Sequence, residues 1–275
     1  MTITEVSEAA LEVRIAPTQQ RIDLQAYTSI LSEVRKALEE VDRIAIPQRT
    51  PRVNWAIKDL SMDREVRMLL VPKTVPFRRE LSSLTVPPDG LVSGVRSLSR
   101  EARIPAYFSD STVHRVGLIG KHVRAGEIDH VSVASMHAPS EAAVVDRTTT
   151  LNADRAIEPV KKAFSSITGT LEVLEHRKDR PPRAFVRSAG MSHAVRIEAR
   201  EDQANMLRDA WGTHVLVEGL LKRNIVGQPV SLVLSSLEPV AERGSSVDPW
   251  ELLGIDPDFT GGLSTAEYMK QVRRG

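Results

Sequence analysis

Seven histidines and no cysteine bound the chemistry open to this chain of 275 residues. Without thiols there is no disulfide, no thiolate nucleophile, no thiolate zinc site and no cysteine-held iron–sulfur cluster. The histidines stand at 114, 122, 130, 137, 176, 193 and 214. His114 and His122 are eight residues apart on one helical stretch, too far for the i, i+4 pair that clips a metal. His130 and His137 flank a strand pattern with no carboxylate in a ligand-like arrangement. No phosphate-cradling GxxxxGKS or GxxxxGKT occurs, nor GxGxxG, GxSxG or HExxH. The acid pairs Glu39–Glu40 and Glu201–Asp202 fall on a helix face and at a helix start, where the helix dipole alone accounts for acids. No catalytic residue, metal or cofactor is nominated, and the expectation is a protein that binds rather than catalyses.

Binding chemistry is better represented. The formal net charge is +1, so the molecule as a whole carries no strong field toward nucleic acid or membrane. Basic residues cluster nonetheless. Pro47 to Arg79 holds eight of them against three acids, which reads as the solvated edge of a sheet. A second group, Arg177, Lys178, Arg180, Arg183 and Arg187, surrounds the turn HRKDRPPR. Cations that track a phosphate backbone work best beside aromatic rings on which bases stack. Aromatic residues make up only 4% of the chain, and Phe185 is the one beside this turn. Nucleic-acid binding through Arg177, Lys178, Arg180, Arg183, Phe185 and Arg187 is therefore the alternative expectation.

The elements that would hold these groups follow from periodicity. LEVRI (Leu11–Ile15) alternates as a strand. Leu24, Tyr27, Ile30, Leu31, Val34, Leu38 and Val41 form one face of a helix that Asp23 caps. VNWAIKDL and EVRMLLVP read as two strands, and VPFRRELSSLTVPPDG as a proline-rich loop. Helical spacing resumes at Leu91, Val95 and Leu98 and again in DSTVHRVGLIGKHV, before the strand DHVSVAS. The order β-α-β-β-α-β over residues 1–147 predicts an α+β fold with a ferredoxin-like α/β domain. A connecting helix is expected over 148–164, with Ile157, Val160 and Phe164 on one side. Over 165–240 the order becomes three strands, a helix and two strands, which resembles an OB-fold barrel; a small SH3-like barrel is the competing architecture. Gly169 and Gly219 sit where such a barrel must coil tightly. The beginning MTITEVSEAALEVRI has no apolar run of signal-peptide type, and no stretch approaches a membrane span, so a cytoplasmic location without membrane contact is expected.

Residues 241–275 read as a linker and a helical tail. In GGLSTAEYMKQVRRG, Ser264 and Glu267 have capping-box spacing, and Leu263 with Tyr268 is placed for a hydrophobic staple. Tyr268, Met269 and Val272 make a narrow apolar stripe, and Lys270, Arg273 and Arg274 add positive charge where the dipole favours it. Such a helix is shorter than the ~12–15 residues that stand alone in water, so it requires a surface. This segment resembles the C-terminal tails of small antitoxins that neutralise PIN-domain ribonucleases. The resemblance implies a PIN-type nuclease as protein partner, apolar contacts through Leu263, Tyr268, Met269 and Val272, and entry of Arg273 or Arg274 into the nuclease's acidic metal site. Such antitoxins are short and carry a DNA-binding module at the N-terminus, unlike this chain. Capture of a protein partner by the tail is the leading expectation.

Overall fold

The computed structural model describes residues 9–19, 21–46, 50–73, 79–138, 142–177, 180–188 and 190–240. The chain divides after Val240, and the described residues all belong to the first unit. Leu263, Tyr268, Met269, Val272, Arg273 and Arg274, like Lys178, lie outside the described residues.

Strand β1 (Leu11–Pro17) leads into helix α1 (Leu24–Ala45), which Asp23 caps as expected: its carboxylate accepts from the N–H groups of Gln25 and Ala26 at 2.8 and 3.0 Å. Ile30, Val34, Leu38 and Val41 are buried, whereas Leu24, at the open end of the same stripe, is 73% exposed. A hairpin of β2 (Trp55–Met62) and β3 (Val66–Pro72) follows. Helix α2 (Val86–Arg100) then begins inside the segment read as a loop. Pro87 and Pro88 occupy its first turn, where a missing N–H costs nothing, so they start the helix rather than prevent it. Helix α3 (Asp110–Arg124), strands β4 (Ile128–Ser135) and β5 (Ala143–Val145) and helix α4 (Arg147–Ile157) complete the layer.

The five strands form one sheet in the order β2-β3-β1-β4-β5, every neighbour antiparallel. One face supplies Leu11, Val13, Ile15, Val66, Met68, Leu70, Val131 and Val133 to a core shared with all four helices. Part of the basic stretch ahead of α2 is not solvated. Arg79 is fully buried and donates to Asp42 on α1 at 2.6 Å, while Arg52 donates to the Asp42 carbonyl at 2.8 Å. A carboxylate on the inner side of a helix is costly to bury without such partners.

The connecting helix ends at Ile157, seven residues before the expected limit. Val160 and Phe164 are not helical. Strand β6 begins at Lys161 and runs to Arg177, and Phe164 within it is 70% exposed. Three- and four-residue apolar spacing had joined Ile157, Val160 and Phe164 across what is a helix end followed by a strand, a coincidence that periodicity cannot resolve. Strands β7 (Arg180–Arg187), β8 (Val195–Glu198), β9 (His214–Arg223) and β10 (Pro229–Pro239) follow, with the short helix α5 (Ala204–Asp209) between β8 and β9.

These strands close a barrel in the order β10-β8-β7-β6-β9. All pairs are antiparallel except β8 with β10, and the arrangement is compatible with an OB-like barrel. Its interior is filled by Ile167, Leu171, Val186, Val195, Ile197, Val217 and Leu232, among others. Closure forces backbones together at two glycines. A Cβ on Gly169 would lie 2.4 Å from the Arg187 carbonyl oxygen, and one on Gly219 would lie 1.9 Å from that of Val233. No side chain fits there without moving a strand. Gly219→Ala is expected to lower barrel stability by about 1–3 kcal/mol, as overpacking does, read from the urea midpoint. Gly190→Ala, with no atom within 4 Å of the added carbon, should leave that midpoint in place.

Candidate functional site

Along β7 and β8 the side chains alternate. Ala184, Val186, Val195 and Ile197 point into the barrel, which leaves Arg183, Phe185, Arg187, Arg196 and Glu198 outside. Phe185 stands opposite Arg196, and Arg183 opposite Glu198. The α/β layer presses against this outer face. Ile44 of α1 packs on Phe185 and Ala194, leaving Phe185 only 7% exposed. Asp110, in the first turn of α3, meets Arg196 at 3.0 Å. Hydrogen bonds seal the rest of the contact. Tyr107 donates its N–H to the Ser192 carbonyl at 2.9 Å, Ala194 donates to Phe108 at 3.0 Å, and Asn224 Nδ2 donates to the Ala156 carbonyl at 2.8 Å. Tyr107 makes its bond with φ at 61°, a left-handed conformation that a non-glycine residue adopts at some cost.

The basic turn is therefore broken up. Phe185 is buried and cannot serve as a stacking surface. Arg187 is bound to Glu172, its Nε at 2.8 Å from Oε1. The backbones of Arg177 and Arg180 pair at the end of the hairpin. Arg183 is exposed and makes no ion pair among the described residues, which do not include the side chains of Arg177, Lys178 and Arg180.

Arg183 lines a two-chambered cleft between barrel and layer. The first chamber, about 430 Å³, is lined by Arg35, Lys36, Arg43, Arg115 and Arg183 against Glu39 and Glu40. The second, about 440 Å³, is lined by Arg115, Arg183, Arg196 and Lys222 against Asp110. Ser111, Arg115 and Arg183 belong to both. Seven cations thus face three carboxylates in a chain whose net charge is +1. Several are held in place by neighbouring acids, some of them behind the wall and Glu40 on it. Arg115 contacts Glu33 at 3.0 Å and Glu40 at 2.6 Å, Lys36 contacts Glu33 at 2.6 Å, and Lys222 contacts Glu198 at 2.9 Å. Burial works to raise the Glu33 and Glu198 carboxyls, but their cationic neighbours outweigh it and hold both below the usual range.

Asp110 behaves oppositely. Burial pushes its carboxyl up to about 6 despite the opposing charge of Arg196. Asp110 Oδ1 and Arg196 Nε have no hydrogen-bond partner among the described residues. Among the described residues no three histidine or acidic side chains converge as a metal site, and no helix is long and apolar enough to cross a membrane.

Alternation in VRIE puts Arg196 and Glu198 on one face of their strand, and nothing local to that strand connects them to α3. Arg35, Arg43, Arg115 and Lys222 gave no signal, because they lie on three separate elements and only docking unites them. No protein-family model matches the chain, and no curated protein does.

The Asp110 shift carries a sign that can be tested. A carboxyl whose folded pKa lies above its unfolded value binds protons more readily when folded, so stability rises as pH falls through about 6 toward the ordinary aspartate value of 3.8. Urea midpoints measured between those limits should rise for the wild type relative to Asp110→Asn as pH decreases. Parallel pH profiles for the two proteins would refute the assignment.

Proposed function

We propose that this is a non-enzymatic binding protein whose cleft accepts the phosphate backbone of single-stranded nucleic acid. The observation that carries the reading is the concentration of seven cationic side chains between the barrel and the α/β layer. We read the barrel as OB-like, on the helix between its third and fourth strands and the parallel pairing of β8 with β10. We read the order β2-β3-β1-β4 of the sheet as the ferredoxin-like split βαβ unit, with β5 added at the edge. OB-folds bind strands through their middle strands and adjoining loops. Here that face is partly used to dock the α/β layer, which moves the available surface to the seam. Guanidinium groups such as Arg183 and Arg115 suit phosphate through paired N–H donors.

A fluorescent oligonucleotide of about 20 nucleotides should bind at about 50 mM salt and weaken steeply by about 200 mM. Arg183→Ala should reduce affinity and lower the slope of log affinity against log salt by about one. Absence of binding at the lower salt refutes the reading.

The spacing Ser264-x-x-Glu267, with the stripe Tyr268, Met269 and Val272, supports a second reading in which the tail docks on a protein partner, a PIN-type nuclease. In pull-downs with a purified PIN-domain nuclease, deletion of residues 257–275 should abolish retention while thermal unfolding of residues 1–240 is unchanged. Retention by the shortened chain removes this reading.

A further inference from the structure

The outer face of β6, β9 and β10 carries an apolar row. Phe164 of β6 stands opposite Leu220 of β9, which stands opposite Val233 of β10. All three point outward, since Ile167, Val217, Leu221, Leu232 and Leu234 fill the interior. They are 70%, 41% and 37% exposed. One same-face step along the strands, Lys162 pairs with Lys222, and Lys222 pairs with Ser231. Lys222 and Ser231 also line the second chamber of the cleft. The cationic track therefore leaves the seam at Lys222, crosses to Lys162 and ends beside the exposed ring of Phe164.

We propose that Phe164, backed by Leu220, is a stacking platform for an unpaired base whose adjacent phosphate lies against Lys162 and Lys222. This rests on the reading of the cleft as a nucleic-acid site. Three features favour a base over a protein surface. The patch is a single row of three side chains, far below the roughly 1,000 Å² that a specific protein interface buries. It is bordered on one side by Lys162 and Lys222, as a phosphate-bearing ligand requires. It is continuous through Lys222 with the cations of the seam. Lys222 is shared with Glu198 at 2.9 Å, which leaves Lys162, exposed and without an ion pair among the described residues, as the principal phosphate contact.

The test compares Phe164→Ala, Phe164→Tyr and Lys162→Ala with the wild type in anisotropy titrations against a fluorescent oligodeoxythymidylate at several salt concentrations. Because Phe164 lies on the surface, thermal unfolding of each variant should match the wild type. Loss of one stacked base should weaken binding by about tenfold in Phe164→Ala without changing the salt slope, and Phe164→Tyr should restore most of it. Lys162→Ala should instead lower the slope. Wild-type affinity in Phe164→Ala, with Arg183→Ala still impaired, overturns the platform and leaves the cleft reading intact. Oligonucleotide binding absent from every protein removes both. Self-association of the wild type in light scattering that Phe164→Ala abolishes assigns the patch to a protein contact and overturns the platform.

Discussion

Arg196 leaves the barrel wall, where its side chain keeps 24% of its exposure, and meets the buried Asp110 at the first turn of α3, 3.0 Å away. Burying such a carboxylate costs several kcal/mol of lost hydration, which a cationic neighbour offsets. This contact ties the barrel to the α/β layer. Around it, Phe185 packs on Ile44, Val230 of β10 joins the α/β core, and Gln228 exchanges hydrogen bonds with both backbone groups of Ile104. The apolar contacts supply attraction without direction, and the polar ones specify the register in which the two layers meet. The raised carboxyl of Asp110 is the cost left visible by this arrangement.

Docking also redistributes charge. Glu33 and Glu40 on α1 hold Arg115 of α3 at the mouth of the cleft, and Glu198 holds Lys222. Each acid orders the cation it contacts, so guanidinium and ammonium groups with many rotamers are held in fewer positions. The near-neutral net charge conceals this separation. Charges of opposite sign cancel over the whole molecule but not along the wall of a concave surface, where low-dielectric sides focus the field.

The barrel has its own constraint. Five strands close only with strong coiling, and the chain accommodates this at Gly169 and Gly219, where carbonyls of neighbouring strands occupy the space of a side chain. Register shifts beside Leu234 and Leu171 mark the same bending. Once closed, the barrel hides its alternating interior and displays whatever the other face carries. That face meets the α/β layer along β7 and β8 and leaves Phe164, Leu220 and Val233 of the other strands uncovered.

Alternation and three-to-four spacing made most elements legible: the Asp23-capped helix, the hairpin after it, the strands of the barrel with their single helix, and the two glycines. These are local properties, because the pleat and the helical turn impose their periods on nearby residues. The same logic misplaced Val160 and Phe164, where apolar spacing ran from a helix end into a strand, and read Pro87 and Pro88 as loop although a helix start tolerates them. Charge and residue type in the basic turn were also legible, but their fate was not. Phe185 is buried, Arg187 is bound to Glu172, and Arg183 is the cation of this turn that faces the cleft among the described residues, because accessibility depends on which distant surface docks. The sequence by itself determined the strands, the helices and the tight coiling of the barrel, since each follows from steric rules acting within a few residues. Only the tertiary structure decided that Arg35, Arg43, Arg115, Arg183, Arg196 and Lys222 share one cleft, since their meeting depends on contacts between elements far apart in the chain.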